Sequence, residues 1–162
     1  MRRIGDPGST SALGGALRQQ AITLADLVAD LTQVANRAER AGRPDATTRE
    51  RELLERTARE LDAVGAALQS YTATVLAGAA RTRELATEAA RADLVVDGSL
   101  VLEAPGPSRV DPTVRLRARE RLQELLNRVT AAEGKELGRI ARELERSGPA
   151  LATVSERSRL GS

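Results

Sequence analysis

A run of arginines is the part of this 162-residue chain whose residue types come closest to binding chemistry. Its five members are Arg115, Arg117, Arg119, Arg121 and Arg128. On a helix, one stripe carries Arg117, Arg121 and Arg128, and a second carries Arg115 and Arg119. Such stripes are more often a solvated helix face, and the alternative is a patch that binds nucleic acid or an acidic partner. No aromatic side chain is interleaved to stack on bases, so nucleic-acid binding through this helix is the alternative to a protein-interaction function.

No other residues suggest a reaction. The chain has neither Cys nor His, which removes thiol nucleophiles, disulfides and the usual zinc site. Gly14-Gly15 matches no phosphate-binding loop, because no strand precedes it and no Gly-Lys-Ser/Thr follows. We therefore expect no catalytic residues, no cofactor, no metal and no small-molecule substrate, and the chain is predicted not to be an enzyme.

The charge balance and hydropathy bear on partners and compartment. Twenty-five basic and 23 acidic residues give a net charge of +2, so the pI of about 9.9 overstates the basicity. No apolar run is long enough to cross a bilayer, and the first residues lack the apolar region of a signal peptide. The sequence predicts no membrane span and a cytoplasmic protein, or one secreted by a route that needs no signal peptide.

Two coiled-coil seams dominate the first 92 residues, each with apolar positions at alternating steps of three and four. The first comprises Leu13, Leu17, Gln20, Leu24, Leu27, Leu31, Val34 and Ala38. The second comprises Leu54, Thr57, Leu61, Val64, Leu68, Tyr71, Val75, Gly78, Thr82, Leu85, Ala89 and Ala92. Gln20 is the one polar residue of the first seam and is expected to fix register or oligomer state, and Tyr71 is expected to lie in the core.

Capping residues set the expected helix boundaries. Helix 1 begins at the Asp6-Pro7 cap or nearer Ser11, and Gly42 ends it. Helix 2 is capped by Asp45 or Thr47, with Glu50 completing a capping box, and runs to about Ala92. Helix 3 opens at Asp111-Pro112, is kinked near Gly134 and Gly138, and ends at Gly148-Pro149.

Between helices 2 and 3 the helical spacing of the apolar residues stops. Two apolar, β-branched arms, 94–96 and 100–102, flank Asp97-Gly98, which predicts a two-residue type I′ hairpin, with a hydrophobic loop as the alternative. The fold class is all-α: an elongated antiparallel bundle of three long helices with a short β-hairpin. The predicted segments are 1–92, 93–110 and 111–162, packed as one domain. In the alternative fold, helices 1 and 2 form an open hairpin and helix 3 packs on another chain.

Helix 2 is longer than helix 1, so its seam should overhang by roughly 20 Å at 1.5 Å per residue. We expect this overhang, which includes Leu85, Ala89 and Ala92, to bind a helical partner or a second copy, with helix 3 as the alternative cover. A homodimer is slightly favoured, because the aromatic-poor seams of a lone bundle bury little apolar area.

Residues 5–92 resemble a family of small helical proteins. Gly5-Asp6-Pro7-Gly8, then 12–18 and an Ala/Leu helical hairpin, are similar to the W-x-G-like proteins of actinobacterial type VII (ESX) secretion. In place of that family's Trp-x-Gly turn stands Gly42-Arg43-Pro44-Asp45, and Tyr71 is followed four residues later by Val75 rather than by an acid. The resemblance implies pairing of helical hairpins into a four-helix bundle, and service as a secreted substrate or its partner.

Overall fold

A computed structural model describes residues 6–44 and 47–160, with side chains to Glu156. Its elements are α1 (Pro7–Arg40), α2 (Thr48–Ala90), β1 (Leu94–Asp97), β2 (Leu100–Glu103) and α3 (Pro112–Leu160). The prediction of an all-α fold of three long helices, with a β-hairpin between the second and third, is confirmed.

Both ends of α1 follow the predicted capping chemistry. The Asp6 carboxylate accepts a hydrogen bond from the Ser9 amide at 3.0 Å, with Pro7 as the first helical residue. At the other end of α1, Gly42 has φ +70°, and the Arg43 amide donates to the Ala38 carbonyl. This hydrogen bond and the left-handed conformation of Gly42 form a Schellman motif, which ends α1. α2 begins immediately after Thr47, whereas Asp45 lies outside the described residues.

The predicted end of α3 is wrong. The helix continues through Gly148-Pro149 to Leu160, so Pro149 lies inside it. Proline has no amide hydrogen, and the Glu145 carbonyl therefore lacks its usual helical donor. Ser147, two positions before this proline, is buried.

The chain divides into two compact units. Unit 1 comprises residues 1–72 and 139–162, and unit 2 comprises residues 73–138. Both α2 and α3 contribute to each unit, so the units do not coincide with the three segments predicted from sequence. Whether those segments pack as one domain stays a prediction.

In unit 1, α1 and α2 are antiparallel. The Thr72 hydroxyl donates to the Pro7 carbonyl at 3.2 Å, and the Arg18 guanidinium pairs with Asp62 at 2.9 Å. Between these contacts Gly14 faces Gly65. Ala58, Gly65 and Thr72 of α2 are buried, one heptad apart and one position beyond the predicted seam, and the seam residue Leu68 also lies beside Gly14. Tyr71 is 5% exposed, as expected of a core residue.

The predicted register of α1 is wrong for one of its two columns. The structure buries Gly14, Ala21, Val28 and Ala35, not the column of Leu13, Gln20, Leu27 and Val34. Small side chains let two helix axes approach more closely than leucines do. The close crossing at Gly14 therefore selects the small-residue column, and Leu13, Leu27 and Val34 face water.

In unit 2, β1 and β2 pair as an antiparallel hairpin in which Asp97 lies opposite Leu100. Its two-residue loop is Gly98-Ser99, with φ +57° at Gly98 and no positive φ at Ser99. One positive φ, at the first loop residue, is the pattern of a type II′ turn, which corrects the predicted type I′ turn at Asp97-Gly98. The unit's core joins both strands to both helices. Its buried members are Leu85, Ala89, Leu94, Val101, Leu122 and Leu126.

Candidate interaction surfaces

The arginines at the start of α3 are largely paired within unit 2. Arg115 lies 3.5 Å from the Glu103 carboxylate, and Arg121 forms an ion pair with Glu88. Arg128 lies 3.4 Å from Glu124, one turn before it on α3. Three of the five predicted cations are thus balanced by acids of the same chain, which lowers the positive potential available to phosphates.

Arg117 and Arg119 occupy different environments. Arg117 is exposed, and Arg119 is half-buried. Neither forms a described ion pair. Two such residues do not make the continuous cationic stripe that the sequence suggested, since the neighbouring charges on α3 are already paired.

Two of the three apolar residues assigned to a partner surface lie in the core of unit 2. Ala89 has no exposed surface and Leu85 is 9% exposed, both packed with the hairpin and α3, while Ala92 is half-buried beside them. This corrects the assignment of Leu85 and Ala89 to an exposed overhang. Within unit 2 the hairpin and α3 cover these residues of α2, and the same packing buries the apolar side chains of Leu94 and Val101.

One polar side chain that sequence reasoning missed holds the hairpin on α3. The Gln123 amide oxygen accepts from the Val101 amide at 2.8 Å, and its nitrogen donates to the Ser99 carbonyl at 2.9 Å. These bonds satisfy the Val101 amide on the outer edge of β2, which would otherwise be an unpaired strand edge, and the Ser99 carbonyl in the hairpin loop. In the sequence, Gln123 is a polar residue between the core residues Leu122 and Leu126. Its role can be inferred only when β2 is known to dock beside it.

Asp93 ties the entry of the hairpin to the linker that leaves it. Its carboxylate accepts from the Ser108 hydroxyl at 2.7 Å and from the Arg109 amide at 3.2 Å. The Ser108 hydrogen bond, followed by the Arg109 amide, holds the pKa of Asp93 below its ordinary value of 3.8. The residue has φ +54°, a conformation that Asp tolerates better than most side chains.

The most extensive apolar surface of unit 1 lies on α1. Leu13, Leu27 and Val34 are 53%, 44% and 52% exposed, in one column at multiples of seven residues. Gln20 completes this column and is also exposed. Its neighbouring column, Leu17, Leu24, Leu31 and Ala38, is half-buried. The two columns together are the first predicted seam, and we call these eight residues the α1 outer face.

The helix that carries this face is poor in charge. α1 has six charged residues among 34, α2 has 13 among 43, and α3 has 18 among 49. None of the six lies on the α1 outer face. Exposed apolar side chains combined with few charges are typical of the centre of a protein–protein interface.

A second apolar surface lies on the hairpin in unit 2. Val95 and Leu102 are cross-strand partners on its outward side, and both are about two-fifths exposed. Leu100, 54% exposed, lies on the same side. This surface is smaller than the α1 outer face, since each strand has only four residues.

A pocket in unit 2 has few polar groups left to bind a ligand. It has a volume of about 280 Å³, lies between α2 and α3 and is open to solvent. It is lined by Glu88, Arg91, Ala92, Ala118, Arg121 and Leu122. Arg121 and Glu88 bind one another across it, so its central charges already have partners. Among residues 6–44 and 47–160 no group of three or more acidic side chains is placed to hold a metal ion.

Within the described part of the chain, no helix has a stretch both long and apolar enough to cross a membrane.

Comparison with known proteins adds no family: no protein-family model, no curated protein and no solved structure matches this chain.

Proposed function

We propose that this chain is a non-enzymatic helical module for protein–protein interaction, whose partner is another helical protein or a second copy of itself. The observation that supports this proposal is the α1 outer face. On it Leu13, Leu27 and Val34 are about half exposed to solvent and are separated by multiples of seven residues. A face with that period fits the side of another helix, because knobs at alternating steps of three and four enter the holes of a facing seam.

The energetics indicate what the partner must supply. Full burial of a Leu or Val side chain contributes about 1.5–3 kcal/mol, and roughly half of that remains to be gained at each exposed position. Three such residues offer about 3 kcal/mol, against an association cost of 4 kcal/mol or more. The partner must therefore also contact the half-buried column, or bind reversibly.

The ion pairs of Arg115, Arg121 and Arg128 weigh against the alternative of nucleic-acid binding. That alternative predicts binding to duplex or single strands with a steep salt dependence. Absence of binding at low salt would eliminate it.

A narrower form of the proposal is service as a type VII secretion substrate or its partner. It is supported by the resemblance of residues 5–92 to that family and by the antiparallel pairing of α1 with α2. In this form the chain is made in the cytoplasm and exported without a signal peptide. Export from a host with and without a functional type VII secretion ATPase tests this form separately.

The general proposal is tested by partner capture with matched variants. Leu27→Gln removes apolar surface from the α1 outer face without adding charge, and Ile22→Gln does the same on another side of α1, at 54% exposure. We expect wild type and Ile22→Gln to retain the same helical partner, or to self-associate equally, and Leu27→Gln to lose it. Equal binding by all three chains, with helix content unchanged by circular dichroism, would overturn the proposal.

A further inference from the structure

We infer that the α1 outer face binds the same face of a second copy of this chain, with the two α1 helices parallel and in register. This inference rests on the proposed function and names its partner. The paired residues are Leu13, Leu17, Gln20, Leu24, Leu27, Leu31, Val34 and Ala38 of each copy. Within each chain the small-residue column that includes Gly14 and Ala21 already packs inside unit 1, so the outer face is the remaining seam of the helix.

Gln20 decides between a second copy and an unrelated apolar helix. It is the only polar residue among the eight, and no described hydrogen bond satisfies its side chain. A purely apolar partner would bury that amide without a hydrogen bond, at a cost of about 1–3 kcal/mol. A parallel copy in register places the partner subunit's Gln20 at the same level, where the two amides satisfy each other. A single polar residue in a coiled-coil seam sets register in this way.

The antiparallel arrangement lacks that match. Packing each column of one helix against the other column of an antiparallel copy puts Leu13 opposite the partner subunit's Ala38. It also puts Gln20 opposite the partner subunit's Leu31, so both amides lose their partners. The parallel register is favoured because it alone pairs polar with polar and apolar with apolar throughout.

The size of the face sets the expected strength. From Leu13 to Ala38 the face is about 37 Å long, and it is roughly one helix diameter, 10–12 Å, wide. A footprint of about 400 Å² per partner is smaller than the roughly 800 Å² of a standard stable interface. The dimer is therefore expected to form reversibly. Covalent cross-linking should detect it more readily than chromatography of dilute protein, in which it dissociates.

The natural chain has no cysteine, so single-cysteine variants give an unambiguous covalent readout. Leu13→Cys and Val34→Cys each place a thiol opposite its own equivalent in the parallel register, but opposite a different residue in the antiparallel one. Ile22→Cys and Gln33→Cys are exposed controls off the face. Under mild oxidation we expect the first two to form disulfide-linked dimers about tenfold or more faster than the controls, because pairing raises the effective thiol concentration.

A second variant tests the role of Gln20 without a cysteine. Gln20→Glu places two carboxylates together in the parallel dimer, which should weaken self-association at neutral pH and restore it as acid protonates them. Dimerisation measured by light scattering at high concentration would follow that pH dependence, whereas Gln33→Glu would not. Cross-linking of all four cysteine variants at one rate, or a monomer at every concentration, would overturn the inference. If capture of another helical protein still depended on Leu27, the proposed function would stand and only the self-pairing would fail.

Discussion

Gly14 of α1 and Gly65 of α2 face each other so closely that neither has room for a side chain. A β-carbon on Gly14 would lie 2.8 Å from the Gly65 carbonyl oxygen, and one on Gly65 would lie 2.7 Å from the Gly14 carbonyl oxygen. Contacts below 3.0 Å to backbone require the helices to separate. This crossing brings the small-residue column of α1 against α2, and it leaves the α1 outer face in water.

Gly14→Ala should therefore destabilise unit 1 by about 1–3 kcal/mol, the usual cost of overpacking. The neighbouring Gly15→Ala is the control, because the nearest atom to its β-carbon would be 4.0 Å away. Alanine at this half-buried helical position, which has room for a methyl group, should instead stabilise by up to about 1 kcal/mol. Urea unfolding of both variants measures the difference, and equal effects would show that the crossing has room for a methyl group.

Leu85→Asp should unfold unit 2 rather than weaken self-association. Leu85 is 9% exposed in the core, and an unpaired carboxylate there should cost about 3–5 kcal/mol. Leu76→Asp is the matched control on the same helix, at 53% exposure, and should change stability by about 0.5 kcal/mol. Thermal unfolding followed by circular dichroism distinguishes them. A folded Leu85→Asp chain would mean that this core is not required.

Gln123→Ala should loosen the hairpin on α3. It removes the acceptor of the Val101 amide and the donor to the Ser99 carbonyl, at a cost of about 1–3 kcal/mol. Amide hydrogen exchange at Val101 should accelerate accordingly. Asn127→Ala is the control, because Asn127 contacts Gln123 at 2.9 Å and makes no described bond to the hairpin. Unchanged protection of Val101 in Gln123→Ala would refute this role.

Pro149→Ala should stabilise α3. It restores an amide donor to the Glu145 carbonyl in a helix that otherwise runs unbroken to Leu160, and the gain should be about 1–3 kcal/mol. Pro112→Ala should give almost nothing, since proline is favoured at the first position of a helix. Both positions are exposed, so unfolding free energies compare the backbone effect alone.

The hydrogen bonds to Asp93 predict a pH dependence at acid pH. Because its pKa is lowered in the folded chain, Asp93 stabilises the fold above its ordinary pKa of 3.8, and that contribution is lost as pH falls through the lower folded value. Ser108→Ala removes the largest cause, so the pKa of Asp93 should rise towards 3.8. Carboxyl chemical shifts followed by NMR through the acid range measure it. An unchanged titration in Ser108→Ala would exclude the Ser108 hydroxyl as the cause.

The sequence by itself determined the local structure, because the interactions that fix it lie close along the chain. Asp6-Pro7 caps α1, Gly42 ends it, and the change from a helical period to β-branched arms marks the hairpin. Each depends on neighbours within about one turn, so each can be read from a few residues. The hairpin's turn type was misread, because Asp97-Gly98 and Gly98-Ser99 are both acceptable loops and the strand register decides between them.

The tertiary structure alone decided which faces are buried. α1 carries three adjacent columns with apolar residues, and the heptad period does not distinguish the column of Gly14 from that of Leu13. The close approach to Gly65 makes the choice, since that crossing has no room for a leucine. In the same way, only docking of the hairpin made Leu85 and Ala89 core residues and gave Gln123 its role. Contacts between residues distant in sequence leave no periodic trace, so the exposed face of α1 became visible only in the folded chain.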